Sequence, residues 1–331
     1  MTKPAFQRLS GKDKLPESLR NCVVAIGNFD GVHRGHQAVL ERALELAKQE
    51  NRPAIVLTFE PHPRSFFKPH EPVERLTDAV EKAEILRIMG FDAVVEQPFT
   101  ADFSALSAEA FVSNILTDRL HAHRVVTGYD FHFGKNRRGT PEFLVEAGGA
   151  AGFSVSLVDA FNDEGGHLVS STRIRTLLCN GEVAQAAGLL GHRYRVSGEV
   201  IHGQKLGRTL GFPTANMIID DHVSLKHGIY AVRFRRADGK LHDGVASFGR
   251  RPTVASDGKP LLETFVFDFS GDLYGEVAEV SFFSYLRGEV KFDGLDPLIE
   301  QMKRDEEEAR AVLAGAKPLS ELDRLLSFPA Y

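Results

Sequence analysis

Cys22-Val23-Val24-Ala25-Ile26, running straight into Gly27-Asn28-Phe29-Asp30-Gly31-Val32-His33-Arg34-Gly35-His36, decides the fold of the first half of this chain. The first five residues form a short apolar run rich in β-branched side chains, the pattern of a buried strand in a parallel sheet. Further on, Val39, Leu40, Ala43, Leu44 and Ala47 recur at helical spacing. The glycine-rich segment therefore lies where a strand turns into a helix. A helix start offers unpaired N–H groups and a positive dipole end, and glycines at 27, 31 and 35 let the backbone approach a ligand closely. Such a segment is a phosphate seat, and His33 and His36 add donors where phosphate charge would gather. It is not a Walker A loop, because no Gly-Lys-Ser/Thr follows, and it is not a GxGxxG fingerprint. Two plainer possibilities stay open: a turn carrying two exposed histidines, and a metal pair. Zinc usually needs a third ligand, and no HExxH or CxxC accompanies these residues.

The string G-x-F-D-G-x-H-x-G-H between strand and helix resembles the HxGH signature of the nucleotidyltransferase superfamily, in the form found in bacterial FAD synthetase. The resemblance implies that His33 and His36 bind ATP phosphates and stabilise charge on the transferring group and the pyrophosphate leaving group. It also implies that Gly27, Asn28, Phe29, Asp30 and Gly31 line the nucleotide.

At 331 residues the chain is long enough for two domains, each with its own core. Hydrophobic content of 43% and charged content of 26% are those of a globular protein. A net charge of -5 argues against a general nucleic-acid binder. The two cysteines, Cys22 and Cys179, suggest neither a disulfide framework nor a metal cluster, so a reducing cytoplasm is expected. No apolar run approaches the ~20 residues that span a bilayer, and the first residues lack the apolar core of a signal peptide. Small-molecule partners are expected, with no nucleic acid and no membrane; oligomerisation is not legible.

Along the first half, Pro53 to Phe59 predicts a second buried strand, ended by Glu60-Pro61-His62-Pro63, where two prolines force a loop. Thr77 is the expected cap of a helix through Ala83, Leu86 and Ile88 to Gly90. Phe91 to Val95 gives the next strand, and Ser107 opens a helix with Ala110, Phe111, Ile115 and Leu116 on one face. His123 to Thr127 is a strand, Thr140 with Pro141 opens a helix, and Phe153 to Val158 is a strand again. Strands alternating with helices predict an α/β, doubly wound, Rossmann-like parallel sheet, with ligands at the carboxyl ends of the strands. Gly128 to Gly139, GYDFHFGKNRRG, follows one such strand and mixes glycines, aromatics and the cations Lys135, Arg137 and Arg138. That lining suits a planar ring bearing a phosphate, although alternating aromatics such as Phe131 and Phe133 also serve as sheet core. G-x-D-F-x-F-G followed by R-x-G is similar to a stretch of FAD synthetases and implies that Gly128, Asp130, Phe131, Phe133 and Arg138 line the nucleotide and flavin pocket; Tyr129 departs from the family's small or acidic residue. Val169 to Arg175 packs hydroxyls and arginines into a helix start, either as plain caps or as an anion site. S-S-T-x-I-R resembles the family's second phosphate motif, which points to Ser170, Ser171, Thr172 and Arg175.

Beyond a short helix from Glu182 to Leu190 the pattern changes. Val196 to Ile201 and Ile229 to Arg235 alternate, Ala237-Asp238-Gly239-Lys240 is a hairpin turn leading to a strand at Val245, and Leu262 to Phe269 and Val277 to Phe283 continue the series. A small closed antiparallel barrel is expected, because closure removes edges. A helix from Leu295 to Leu313, with the stripe Leu298, Ile299, Met302, Ala309, Val312 and Leu313, is expected to pack across it. Domains of 1–185 and 186–331 follow.

Gly203 to Asn216 carries three glycines and a proline before Thr214-Ala215-Asn216, a fixed loop whose amides can face phosphates and whose hydroxyl and carboxamide can turn toward one hard cation. G-x-x-L-G-R-x-L-G-F-P-T-A-N closely resembles the riboflavin kinase signature. It implies nucleotide or flavin contacts at Gly203, Gly207, Arg208, Gly211 and Pro213, with Thr214 and Asn216 on Mg²⁺ and ATP phosphates. Glu263 places one carboxylate in an apolar strand, either as an edge charge facing water or, as the resemblance implies, as the general base for a ribityl hydroxyl. Gly244 to Val254 resembles G-V-A-N-x-G-x-R-P-T, with Ser247 in place of the asparagine and Arg251 at the arginine. Asp268, Asp272, Leu273 and Tyr274 resemble D-x-x-x-D-L-Y-G, and Arg287 lies near the flavin or nucleotide. The run Asp305-Glu306-Glu307-Glu308 is expected as a solvated helix face. Together these motifs imply a bifunctional riboflavin kinase/FMN adenylyltransferase using riboflavin, FMN, FAD and ATP with Mg²⁺. The alternatives are a metal-dependent hydrolase built on His33, His36 and His62, and a non-enzymatic flavin or nucleotide sensor.

Overall fold

A computed structural model describes residues 5–203, 211–220, 223–250 and 259–329. Two compact units emerge, one from the residues up to Val73 together with Asp78–Ser170, the other from Glu74–Thr77 together with the chain from Ser171 onward.

The first unit alternates strands and helices. It comprises β1 (Gln7–Ser10), β2 (Cys22–Ile26), α1 (Arg34–Gln49), β3 (Ala54–Glu60), α2 (Pro63–Phe67), α3 (Ala79–Met89), β4 (Ala93–Pro98), the single turns α4 (Ala101–Ser104) and α5 (Ala108–Ala110), β5 (Ala122–Gly128), α6 (Pro141–Ala151) and β6 (Ser154–Val158). After α5 the chain continues through a π-helical stretch, Phe111–Thr117. The six strands pair in parallel in the order β1-β4-β3-β2-β5-β6. All five residues of β2 are buried, as a central parallel strand requires. From β2 the chain winds one way to β3 and β4, then crosses to β5 on the opposite side, so the order reverses between β2 and β5. The crevice beyond the carboxyl ends of those two strands is the topological switch point, the usual ligand position in such sheets.

Local signals explain most of these boundaries. Helix α1 buries Val39, Leu40, Ala43, Leu46 and Ala47, with Leu46 in the place expected for Leu44. Asp78, and not Thr77, caps α3, its carboxylate accepting from the Glu81 N–H at 2.7 Å. That helix ends at Gly90, in the left-handed region at φ 103°. Edge strand β1 was not expected, because Gln7-Arg8-Leu9-Ser10 carries one apolar residue and owes its form to pairing with β4.

In the second unit, α7 (Ser171–Asn180) and α8 (Val183–Leu190) precede β7 (Tyr194–Ile201), β8 (Thr214–Ile218), β9 (Gly228–Arg235), β10 (Leu241–Arg250), β11 (Pro260–Val266) and β12 (Val277–Arg287). These strands close into an antiparallel barrel, β10-β11-β8-β7-β12-β9. The turn between β9 and β10 is the one the sequence predicts, with the Gly239 N–H donating to Arg236 O at 2.9 Å. Inward-facing Met217, Tyr230, Val232, Phe248 and Leu262 are at most 2% exposed. Helix α9 (Leu295–Gly315) lies on the barrel's outer face, where Ala309 and Leu313 join Ala231, Phe267, Phe283 and Phe328 in one cluster. Leu298, Ile299 and Met302, expected in that stripe, are only half-buried. Helix α10 (Glu321–Ser327) closes the described chain.

Candidate active sites

At the carboxyl end of β2 the Gly27 N–H still donates to Leu57 O in β3, at 3.2 Å. The chain then turns through three left-handed residues, Phe29 at φ 50°, Gly31 at 80° and Val32 at 41°. Only one is a glycine, so two side chains are held where L-residues are disfavoured, a strain typical of functional loops. Phe29 folds back over Gly27, whose absent Cβ would stand 2.9 Å from its ring. His33 caps α1, its Nδ1 accepting from the His36 N–H at 3.3 Å. With Nδ1 as acceptor, the neutral ring carries its proton on Nε2. The two imidazoles stack with centroids 3.6 Å apart and 15° between planes, and Phe29 meets His36 edge-on at 5.5 Å. With His33 5% exposed and His36 half-buried, the segment is not a turn with two exposed histidines. Arg34, between them, stacks on Phe161 and forms a two-pronged pair with Glu164, at 3.1 and 2.7 Å. Its guanidinium holds the Glu164 carboxyl below the usual carboxylate range.

Beneath this seat lies a group that sequence reasoning missed. Lys82 of α3 is 1% exposed, and its Nζ lies 3.2 Å from Asn28 O, 3.0 Å from Thr58 Oγ1 and 2.9 Å from Glu60 Oε1. The available signal was a lysine on the helix face that also carries Ile85 and Leu86, where a charge is unexpected.

Across the switch point, the Thr127 hydroxyl donates to Ile26 O at 3.1 Å, joining the ends of β5 and β2. Gly128 then starts a loop closed by paired hydrogen bonds between Phe133 and Gly139, at 3.0 and 2.9 Å. Phe133 is core, tilted on Phe111 and stacked under Phe131, with its ring 2.7 Å from where a Gly139 Cβ would stand. Asp130 and Arg138 are exposed, Phe131 is half-buried, and Tyr129 stands 46% exposed. Val169, just before Ser170, brings its carbonyl to 3.6 Å from a Cβ position on Gly35. Ser171, Thr172 and Arg175 start α7 in the second unit, where Arg175 Nε donates to Glu74 O and the Glu74 carboxylate accepts from the Ser224 hydroxyl.

On the barrel, strand register brings the second set together. Glu263 of β11 lies opposite Asn216 of β8 on one side and Ser247 of β10 on the other. Because β11 sits between two neighbours in a closed barrel, Glu263 is not an edge charge. Thr214 and Asn216 share one face of β8, and the Asn216 Nδ2 donates to Thr214 O at 3.1 Å. Gly203 lies flat on that carboxamide, its absent Cβ 2.6 Å from Nδ2. Gly211 is left-handed at φ 87°, and Pro213 is exposed. Gly207, Arg208 and Arg251 lie outside the described residues.

The acidic run of α9 requires a correction. Asp305 is 4% exposed and holds Arg287 through two bonds of 2.8 and 2.6 Å, with Gln301 adding a third at 2.9 Å. It stands one turn before buried Ala309, on the helix face that meets the barrel, so only Glu307 and Glu308 of the run are exposed. All three guanidinium nitrogens of Arg287 are therefore engaged, Nε and Nη2 by Asp305 and Nη1 by the Gly288 carbonyl at 2.9 Å. Asp268 is likewise paired, with Arg310, at 2.9 and 3.0 Å.

Among the described residues, no group of three or more His, Cys, Asp or Glu side chains is arranged to hold a metal ion. His62 instead caps α2, accepting from the Arg64 N–H at 3.2 Å. No helix among the described residues is long and apolar enough to cross a membrane.

Comparison with known proteins follows the same division. An FAD synthetase family model matches residues 15–173, and a riboflavin kinase model matches 190–313. A bifunctional riboflavin kinase/FMN adenylyltransferase from Listeria monocytogenes is 41% identical over 89% of this chain and 93% of its own length. One from Escherichia coli K12 is 41% identical over 90% and 94%. One from Pseudomonas fluorescens is 42% identical over 93% and 98%. A crystal structure described as a macrolide-efflux protein from Streptococcus pneumoniae superposes with a TM-score of 0.81 at 31% identity, covering 92% of this chain and 99% of that one.

Proposed function

We infer how two activities are divided along the chain from one premise: it belongs to the bifunctional riboflavin kinase/FMN adenylyltransferase family. It phosphorylates riboflavin with ATP to give FMN, and it adenylylates FMN with a second ATP to give FAD and pyrophosphate. Residues 1–185 carry the adenylyl transfer and residues 186–331 the kinase.

In the kinase, Glu263 accepts the proton of the ribityl 5′-hydroxyl as that oxygen attacks the γ-phosphorus, and the bond from that phosphorus to the oxygen of ADP breaks. Gly203, Gly207, Arg208, Gly211, Pro213, Arg251 and Arg287 contact nucleotide or flavin around it. Thr214 and Asn216 suit a hard cation: with Nδ2 of Asn216 spent on Thr214 O, the carboxamide oxygen and the threonine hydroxyl are the donors on offer. They would hold Mg²⁺, which when bound screens triphosphate charge. In the first half, an oxygen of the FMN phosphate attacks the α-phosphorus of ATP and the bond to pyrophosphate breaks. His33 and His36 stabilise the charge on both groups, the Gly27–Gly31 backbone seats the triphosphate, and Ser170 binds a further phosphate oxygen. Gly128, Asp130, Phe131 and Arg138 face the nucleotide and flavin, with Phe133 as their support from the core. The enzyme works in the cytoplasm on small molecules, without nucleic acid or membrane.

The observation that carries this division is that His36 and Glu263 belong to different compact units. Incubation with riboflavin, ATP and Mg²⁺ followed by chromatography tests it. Glu263→Ala should stop FMN formation and leave conversion of FMN to FAD, and His36→Ala should do the reverse. A single substitution that abolished both in a folded protein would refute two separate sites.

A further inference from the structure

Lys82 belongs to none of the motifs, yet it is the most completely buried cation near the phosphate seat. Burying an ammonium is costly unless it is paired and hydrogen-bonded, so what it touches matters. Its partners are the Asn28 carbonyl at 3.2 Å, the Thr58 hydroxyl at 3.0 Å and the Glu60 carboxylate at 2.9 Å. Thr58 Oγ1 donates in turn to the same Asn28 carbonyl, at 3.1 Å. One peptide oxygen in the second position of the seat therefore accepts from two side chains at once.

That peptide joins Asn28 to Phe29, and a trans peptide points its C=O and N–H in opposite directions. Pinning the carbonyl toward Lys82 turns the Phe29 N–H away from it. The restraint also falls just before the left-handed Phe29, at φ 50°, the first of the three residues that shape the turn into α1. Left unrestrained, this peptide could flip and carry the start of the seat with it.

We propose that Lys82 is a positioning residue for adenylyl transfer: from inside α3 it locks the Asn28–Phe29 peptide so that its N–H faces the triphosphate. The proposal rests on the assignment of adenylyl transfer to the Gly27–His36 seat. Misalignment of a backbone donor weakens stabilisation of the transferring phosphoryl group more than it weakens overall binding of ATP, so the loss belongs in kcat. A purely structural role, tying α3 to β3, would lower stability and spare kcat per folded molecule.

The test uses the full-length enzyme. Lys82→Met keeps the length and removes the charge, and Glu60→Gln/Lys82→Met removes the charge of both partners. FMN-to-FAD conversion is measured for kcat and for KM of ATP, the kinase reaction of the same chain serves as a folding control, and thermal unfolding is followed in parallel. In both variants kcat should fall ~30-fold with KM of ATP changed less than ~3-fold, while the kinase rate stays within ~2-fold of wild type. Wild-type kcat per folded molecule, or a loss shared equally by the kinase, would overturn the proposal. If Lys82→Met does not fold, Thr58→Val removes the other donor to Asn28 without altering size; a ~5-fold drop in kcat supports the restraint and an unchanged kcat overturns it. Failure of the wild-type enzyme to make FAD, or full FAD formation by His36→Ala, would instead sink the assignment of the seat itself.

Discussion

Gly35 shows how closely single residues are matched to the seat. Its φ is ordinary for a helix, so an alanine would be accommodated by the backbone and should favour α1 by up to ~1 kcal/mol. The added Cβ would nevertheless meet the His33 ring at 3.2 Å and the Val169 carbonyl at 3.6 Å. The imidazole is the softer neighbour and should move. Gly35→Ala is therefore expected to keep or raise the melting temperature while lowering FMN adenylylation ~10-fold, with riboflavin phosphorylation as the unaffected internal reference. Equal adenylylation rates in variant and wild type would show that the ring has slack. The cysteines give a second residue-scale outcome. Burial pushes the Cys22 thiol up to about 12, so it stays protonated across the neutral range, and the thiolate that reacts with aromatic disulfides is absent. Cys179 is exposed. One thiol per chain should titrate in the native enzyme and two after denaturation. Two reactive thiols in the native state would contradict the packing around β2.

At the scale of elements, α9 is held to the barrel by more than its apolar stripe. Asp305 grips Arg287 at the end of β12 with both carboxylate oxygens, and removing one partner of a buried pair leaves the other charge stranded. Asp305→Ala should cost about 3 kcal/mol in urea unfolding followed through the kinase half, whereas Glu307→Ala, on the exposed face, should cost less than about 0.5 kcal/mol. Comparable losses in the two would mean that the acidic run acts as a solvated whole. The same helix shows where the sequence stops being informative. Residues whose role is set by neighbours in the chain were readable: the β2 run, the α1 face, the Asp238-Gly239 turn, and the strands that alternate around the barrel. Residues whose role depends on a distant partner were not. Asp305 looks like its acidic neighbours until Arg287 is opposite it, Lys82 is an odd charge on an apolar helix face with no visible partner until β3 is beside it, and Gln7-Arg8-Leu9-Ser10 becomes a strand because β4 offers an edge. Thr214 to Asn216 hid a strand inside a binding motif. The motifs point to two candidate seats, but the cross-strand pairing of Glu263 with Asn216 is a matter of register, which no local pattern encodes.

For the molecule as a whole, the boundary of activity and the boundary of packing need not coincide. The residues assigned to each reaction divide near 185, yet a cut there falls inside α8, whose Val183, Ala186, Ala187, Leu189 and Leu190 are all buried. The helices before the barrel are tied to the second unit: the Lys226 N–H donates to Leu178 O at 3.1 Å, and Gly181 lies so close to Tyr285 that a Cβ would stand 3.2 Å from its ring. A fragment beginning at residue 186 loses both contacts and leaves the first turn of α8 unformed. One beginning at 171 keeps them. Losing a buried valine together with a helix turn amounts to roughly 2 kcal/mol, or about 5 °C in a unit of this size. Fragment 171–331 should therefore melt at least ~5 °C above fragment 186–331 and bind riboflavin at higher temperature, with differential scanning calorimetry as the measurement. If the shorter fragment were equally stable, α7 and α8 would be passengers on the barrel and the boundary of packing would move to the boundary of function.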